Sequence, residues 1–476
     1  MKRVLFLNGP SQDPSDRFYG WPTPLLYAIA PTAEAMRNGA LHLEMLPPIF
    51  EVPWYIEGEN DVGIHDAFHE RIASADIICA SVIYDSLYPT LRLLADAKRL
   101  RPEMITILGG PHVDEAHNIP GLNDLTNNPG VVDFLIAGDG EIVLRELLSD
   151  IASGTTPNLE RIAKRSEGRA WIYGRDGRAT TRQRSLRLDD LPYFPIDLAP
   201  KQHRQDFAVF SDASGEGVVA TAQMMTMRGC PYECNFCSER RDLAYPNAHS
   251  IDHILGEIEL RKREGFGAVF FDDSTFGVHP RFSDLIQELG KAGMQFGALT
   301  RFNIANRPEL LESLRDAGFT YLYCAVEQFE DEALRAMQKG QKTATIEAGM
   351  RRLQEHGFRI GVSLLYGLPY ETDASVRATQ DFAARWVSEG VIILVSESLL
   401  SYHPGTPEGA GKCLDFNRLP PNRGFPWNRF EEGQWYHPPH VTADYAERIF
   451  RGSEARFAHA MIRNRHTWIH NKPSPG

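Results

Sequence analysis

The sequence predicts an α/β protein of two parallel sheets in succession. The first belongs to an N-terminal doubly wound (Rossmann-like) domain; the second is an open, partial (β/α)6 barrel followed by a small C-terminal helical region. Three observations predict this. Short apolar runs alternate with helical patterns across residues 1–150, and again from Gly217 to about Leu400. Turn-rich segments follow the first strands: Asn8-Gly9-Pro10, Gly109-Gly110-Pro111-His112 and Ala137-Gly138-Asp139-Gly140-Glu141. Between the two alternations, residues 151–215 lose periodicity, and Leu188–Pro200 reads as an extended linker because each proline biases its predecessor away from helix.

In the first stretch the strand-like runs are Val4–Leu7, Asp76–Ile83, Met104–Leu108 and Val132–Ile136. Leu91, Leu94 and Ala97 recur at helical spacing within Tyr88–Arg99. In the second, six strands are expected at Val218–Met227, Ala268–Asp272, Phe296–Arg301, Thr320–Glu327, Arg359–Tyr366 and Val391–Glu397. Ser250 caps a helix carrying Ile251, Ile254, Leu255 and Ile258 on one face. Pro308 opens another, and Asp373 or Ser375 a third. A terminal helix, roughly 443–464, follows Thr442 as its cap. The expected domains are 1–150, a linker over 151–215, the barrel over 216–408 and a C-terminal region over 409–476. There Trp427, Trp435, Tyr436, His437 and His440 serve as a lid over a substrate or as ordinary packing.

The 476 residues carry a net charge of −13 with no basic block, which argues against a nucleic-acid binder. The apolar run after Met1-Lys2-Arg3 ends at Asn8, too short for a signal peptide, and no stretch of about 18 apolar residues could span a bilayer. The six cysteines form no disulfide framework, so a cytoplasmic location is expected. Cys79 and Cys324 sit in strand-like runs as buried thiols, and Cys413 in a loop. Cys230, Cys234 and Cys237 crowd one Gly- and Pro-punctuated loop just after the second domain's first strand. Thiolates at this spacing select an iron–sulfur cluster, zinc or copper(I), and a structural zinc site would need a fourth ligand.

The CxxxCxxC loop in this context resembles the radical S-adenosylmethionine (SAM) superfamily. The resemblance implies a [4Fe–4S] cluster on Cys230, Cys234 and Cys237, with its open iron chelated by SAM and a 5′-deoxyadenosyl radical as product. Further matches fall at strand ends: Phe236 before the last cysteine, Phe271-Asp272-Asp273-Ser274-Thr275-Phe276, Ala298-Leu299-Thr300-Arg301, Ala325-Val326-Glu327-Gln328, Gly361 to Pro369, and His403-Pro404-Gly405-Thr406-Pro407. They imply SAM contacts from Phe236, Asp272, Arg301, Glu327, Ser363 and Gly367. The first domain resembles the cobalamin-binding domain of one radical SAM branch, implying corrinoid contacts from Asn8, Pro10, Ser81, Gly109, Gly110, Pro111, His112, Gly138, Gly140 and Glu141. The D-x-H-x-x-G signature of a cobalt-ligating histidine is absent.

Together these imply a cobalamin-dependent methyltransferase acting on an unactivated carbon, or phosphorus, of a small molecule of natural-product or lipid type, with an electron donor such as flavodoxin or ferredoxin. Two alternatives stand beside it: a rearrangement, cyclisation or ring contraction using both cofactors, and a non-catalytic iron–sulfur and corrinoid-binding protein.

Overall fold

Alternating apolar runs and capped helices assemble two sheets joined through one continuous core. The computed structural model describes residues 1–8, 23–36, 39–46, 56–57, 61–62, 66–82, 87–110, 113, 131–175, 177–181, 186–198, 210, 219–239, 247–403, 406–409 and 438–457. In chain order the strands are β1 (Lys2–Asn8), β2 (Leu41–Met45), β3 (Ile56–Glu57), β4 (Asp61–Val62), β5 (Ile77–Ser81), β6 (Ile105–Gly109), β7 (Phe134–Gly138), β8 (Ala170–Gly174) and β9 (Gly177–Thr180). They continue with β10 (Thr221–Met224), β11 (Met227–Arg228), β12 (Asn247–Ala248), β13 (Ala268–Phe271), β14 (Gln295–Thr300), β15 (Phe319–Glu327), β16 (Arg359–Tyr366) and β17 (Ile392–Leu399). The helices are α1 (Thr23–Ala35), α2 (Asp66–Ala73), α3 (Leu87–Leu100), α4 (Gly140–Ala152), α5 (Leu159–Arg165), α6 (Ile251–Arg263), α7 (Phe282–Leu289), α8 (Pro308–Asp316), α9 (Asp331–Ala336), α10 (Thr343–Glu355), α11 (Asp373–Ser388) and α12 (Ala443–Phe457).

The first sheet runs β2-β1-β5-β6-β7-β8-β9. Its first five strands are parallel, and β8 and β9 add an antiparallel edge. The order reverses between β1 and β5, the point of an open parallel sheet where ligands bind beyond the strands' carboxyl ends. Asn8 and Ser81 pair across that point, and Ser81 pairs with Gly109. Leu5, Leu7, Ile78, Ala80 and Leu108 face one hydrophobic cluster with Leu91, Leu94 and Ala97. Val4, Phe6, Cys79 and Ile107 face the other. Both faces are therefore covered, as the near-continuous apolar strands require.

Residues 151–215 depart from the expected linker. A helix at Leu159–Arg165 and the β8–β9 hairpin occupy it, and the hairpin extends the first sheet. Pairing with β7 supplies what local periodicity does not show: Ala170, Ile172 and Ala179 bury their side chains in the main core. Beyond it, Leu188–Asp190 and Ile196–Leu198 are single turns of 3-10 helix.

The second sheet is wholly parallel, β10-β13-β14-β15-β16-β17, each strand beside its predecessor. Its first strand is shorter than the expected Val218–Met227. After Met224 the chain leaves the sheet, and Met227 and Arg228 pair instead with Ala248 and Asn247. The intervening helices are capped as their sequences suggest: Ser250 accepts from His253 N–H at 3.2 Å ahead of α6 (Ile251–Arg263). Thr372, not Asp373 or Ser375, is the N-cap of α11 (Asp373–Ser388), and Ser375 returns the capping bond. Thr442 accepts from Tyr445 N–H at 3.2 Å at the start of the terminal helix, described as Ala443–Phe457.

Polar contacts tie the elements around the first sheet to those around the second. Tyr27, in the helix Thr23–Ala35, donates to Glu257 at 3.1 Å and accepts from Met225 N–H at 3.3 Å. Burial pushes the Glu257 carboxyl up to about 7, with Arg261 and the Tyr27 bond opposing. Arg228 pairs with Glu141 at 2.5 Å.

Candidate active site

The three cysteines stand on the loop leaving the short strand pair β11–β12, at the carboxyl edge of the second sheet. Cys234 is buried and Cys230 and Cys237 are half-buried. The loop is anchored on every side. Asp273 accepts from Thr226 N–H at 2.6 Å, from the Thr226 hydroxyl and from Met227 N–H at 3.3 Å, bracing the base. Asn235 donates to Ala336 O at 2.9 Å and to Glu408 at 3.0 Å, and its N–H donates to Met337 O at 3.1 Å. Thr275 lies 3.4 Å from Cys230 Sγ. A donor set of three thiols on one braced loop, with the remaining described cysteines elsewhere, suits an iron–sulfur cluster with one open iron.

Cationic groups close the back wall. Arg301 is buried, donates to Cys234 Sγ at 3.5 Å and to Lys339 O, and lies 3.8 Å over the Tyr232 ring. Its Nε is buried without a partner, an orphan donor beside the cluster loop that suits an anionic group. Lys339 donates to Glu327 at 2.9 Å, and Ser363 donates to the other oxygen of that carboxylate at 3.3 Å. Glu327 sits at a register shift in β15 with φ of 66°, a left-handed conformation disfavoured for a side chain of its size. Phe236 faces Lys339 Nζ at 5.9 Å. Asp272 is carried at the end of β13, and burial, with Asp273 and Glu239 nearby, pushes its carboxyl up to about 7. Gly367, with φ of 84°, donates to Glu371, which the terminal helix grips through Tyr445. The expected SAM residues Phe236, Arg301 and Glu327 all meet Lys339, and Ser363 meets Glu327, with Asp272 and Gly367 at neighbouring strand ends. Tyr232, inside the cysteine motif, joins them, as do Lys339 and Glu371, which no motif announces.

Residues 224–383 match the radical SAM superfamily. They are a radical SAM domain. Among relatives, the uncharacterized methyltransferase PH0819 of Pyrococcus horikoshii is 24% identical over 350 residues, 69% of this chain and 71% of that protein. The cobalamin-dependent radical SAM methyltransferase TokK of Streptomyces tokunonensis is 26% identical over 65% of this chain, which spans 44% of TokK. Among solved structures, the radical SAM methyltransferase TsrM from Kitasatospora setae, with cobalamin and a [4Fe–4S] cluster bound, superposes with a TM-score of 0.61. That likeness is 17% identical and covers 97% of this chain and 93% of TsrM, so the fold is shared across both sheets.

Ahead of the radical SAM domain, Asn8, Ser81 and Gly109 stand side by side at the first sheet's carboxyl edge. Gly110 and Gly138 both have positive φ, and a side chain there would strike Val82 N at 2.4 Å and Arg169 O at 2.1 Å. These glycines are required by the protein's own packing. Gly140 opens the helix Gly140–Ala152, whose first turn holds Glu141. That carboxylate is turned to Arg228, two residues before Cys230, and ties the first sheet to the radical SAM domain. Pro10, Pro111, His112, Cys413, Trp427, Trp435, Tyr436 and His437 lie outside the described residues. No helix among the described residues is long and apolar enough to cross a membrane.

Proposed function

We propose that this chain is a cobalamin-dependent radical SAM methyltransferase acting on a small molecule, reduced by a flavodoxin- or ferredoxin-type donor. The observation that carries the reading is the three-cysteine loop backed by Arg301 with its unpaired buried Nε. It stands in a chain whose whole fold follows TsrM. Cys230, Cys234 and Cys237 would hold the cluster, and the second sheet is read as a partial (β/α)6 barrel. Phe236, Asp272, Arg301, Glu327, Ser363 and Gly367 would hold SAM. When bound, the cluster supplies the electron that cleaves the SAM sulfonium, and the corrinoid supplies the methyl group for transfer.

Within the chain, Arg301 offers a guanidinium already fixed by Tyr232 and Lys339 O, so little side-chain freedom is lost when it takes a carboxylate. Lys339 orients Glu327 as an acceptor for a hydroxyl or ammonium group. The first sheet is read as a Rossmann-like domain. Asn8, Ser81, Gly109 and Gly110 would floor the corrinoid at its switch point, while Glu141 holds Arg228 instead. PH0819 and TokK are named methyltransferases, which supports methyl transfer.

Anaerobic reconstitution with iron, sulfide and hydroxocobalamin tests the reading. The wild-type protein should retain about one corrinoid per chain and release S-adenosylhomocysteine from SAM under a low-potential reductant. Cys234→Ala should keep the corrinoid and lose cluster absorbance. A colourless wild-type protein would sink the proposal.

A further inference from the structure

Away from the cysteines, two histidines and an aspartate converge where the connecting segment meets α6. Asp189 lies in the Leu188–Asp190 turn; His249 precedes α6 and His253 stands in its first turn. His249 Nδ1 is 3.4 Å from Asp189 Oδ1, and His253 Nδ1 is 3.9 Å from the same oxygen. One ligand atom from each residue lies within 4.8 Å of the other two. The imidazoles stack with centroids 4.3 Å apart and planes 13° apart, and Nδ1 of each faces the carboxylate. Tyr193 meets His253 edge-on at 4.8 Å and Tyr27 approaches His249 at 6.5 Å, fixing both rings.

The arrangement leaves a debt of polar groups. His249 is only 4% exposed, and its Nδ1 is buried with no hydrogen-bond partner despite the nearby carboxylate. His253 Nε2 is also buried and unpartnered, on the side of the ring away from the Nδ1 that faces Asp189. Such groups are rare in folded proteins and call for an occupant. Two imidazoles facing one carboxylate are a donor set suited to divalent first-row metals and to zinc in particular.

We propose that Asp189, His249 and His253 form a zinc site that staples the connecting segment to α6. Tetrahedral zinc, with bonds of about 2.0–2.2 Å, places its ligand atoms roughly 3.3 Å apart. His249 and Asp189 already have this spacing; His253, 3.9 Å from the same oxygen, turns its ring out of the stack with His249 to reach it, because a shared ion lies in the plane of both imidazoles. Ser250 N–H donates to Asp189 Oδ1 at 2.8 Å, orienting the carboxylate from outside the site. His253 also lines a groove with Glu34, Tyr193, Asp197 and Glu264, which gives the ion an entry path and water a fourth position. The staple reaches the cysteine loop through the backbone. His249 N–H donates to Thr226 O at 2.9 Å, and Asn247 and Ala248 pair with Arg228 and Met227. The site does not depend on the methyltransferase reading.

The test uses the full-length, cluster-loaded protein, whose cysteines are then occupied. After chelator treatment and desalting it is exposed to zinc chloride, desalted again, and analysed for metals and melting temperature. Wild type should retain about one zinc per chain beyond its roughly four irons and melt several degrees higher than before zinc. His253→Ala and the isosteric Asp189→Asn should lose the zinc and the shift while keeping their iron. Absence of zinc from wild type, or zinc held at the wild-type level by both variants, would overturn the proposal.

Discussion

Lys339 and Glu327 form an ion pair that water barely reaches, with side chains 4% and 12% exposed. Removing one partner of such a pair strands the other's charge in a poorly solvated site. Lys339→Met should therefore cost about 3–5 kcal/mol in denaturant unfolding, and the double variant Lys339→Met/Glu327→Gln should recover most of it. Additive single and double effects would show that the two charges are not coupled. The pair also marks what the sequence could and could not say at this scale. The cysteines are legible because their geometry is set by one short loop. Lys339 is not, because it arrives from the turn after Asp331–Ala336, more than a hundred residues later, in a segment with no motif. Glu141 was legible as a strand-end residue of the first sheet, but its partner Arg228 lies in the β11–β12 pair beside the second, and no local pattern records that distance.

Elements were read more evenly. The buried parallel strands announce themselves as apolar runs, whereas β2 and the β8–β9 hairpin are too short or too polar to stand out. The Asp176-Gly177 pair between two β-rich runs was the available hairpin signal. Two predictions belong to element junctions. Gly367 ends β16 at φ of 84°, and a Cβ there would lie 2.6 Å from Val441 Cγ2. Gly367→Ala should lower stability by about 2 kcal/mol or more, through left-handed strain plus overpacking, and loosen the terminal helix toward faster proteolysis. Wild-type protease resistance would contradict this. Under the same helix, Ser453 donates to Glu397 at 2.5 Å, and burial pushes that carboxyl up to about 7 from an ordinary 4.5. The native state thus holds a proton the unfolded chain releases. This contribution to stability is full below about pH 4.5, declines as pH rises, and is gone above about 7, a swing of roughly 3 kcal/mol. Glu397→Gln should gain on wild type steadily between pH 5 and 7.5 in thermal melts; parallel curves would rule the assignment out.

At the scale of the molecule, the joint between sheets rests on few polar contacts within a shared apolar core. Arg228–Glu141 is the tightest, with Glu141 only 6% exposed. Glu141→Ala leaves a guanidinium without its counter-charge and should cost about 3 kcal/mol, enough to separate calorimetric unfolding of the two sheets into two transitions. A single transition at the wild-type temperature would refute this. The two-sheet division was legible from the repeated alternation, but the joint was not, since it is built from single residues that meet only after both sheets exist. The strand order carries a consequence for synthesis. In the second sheet every strand lies beside the one made just before it, so each can dock as it leaves the ribosome, without waiting for a distant partner or displacing an earlier one. The first sheet, by contrast, keeps an open β7 edge until residues 170–180 emerge, and a ribosome stalled before that point would leave a sticky nascent chain for chaperones to guard.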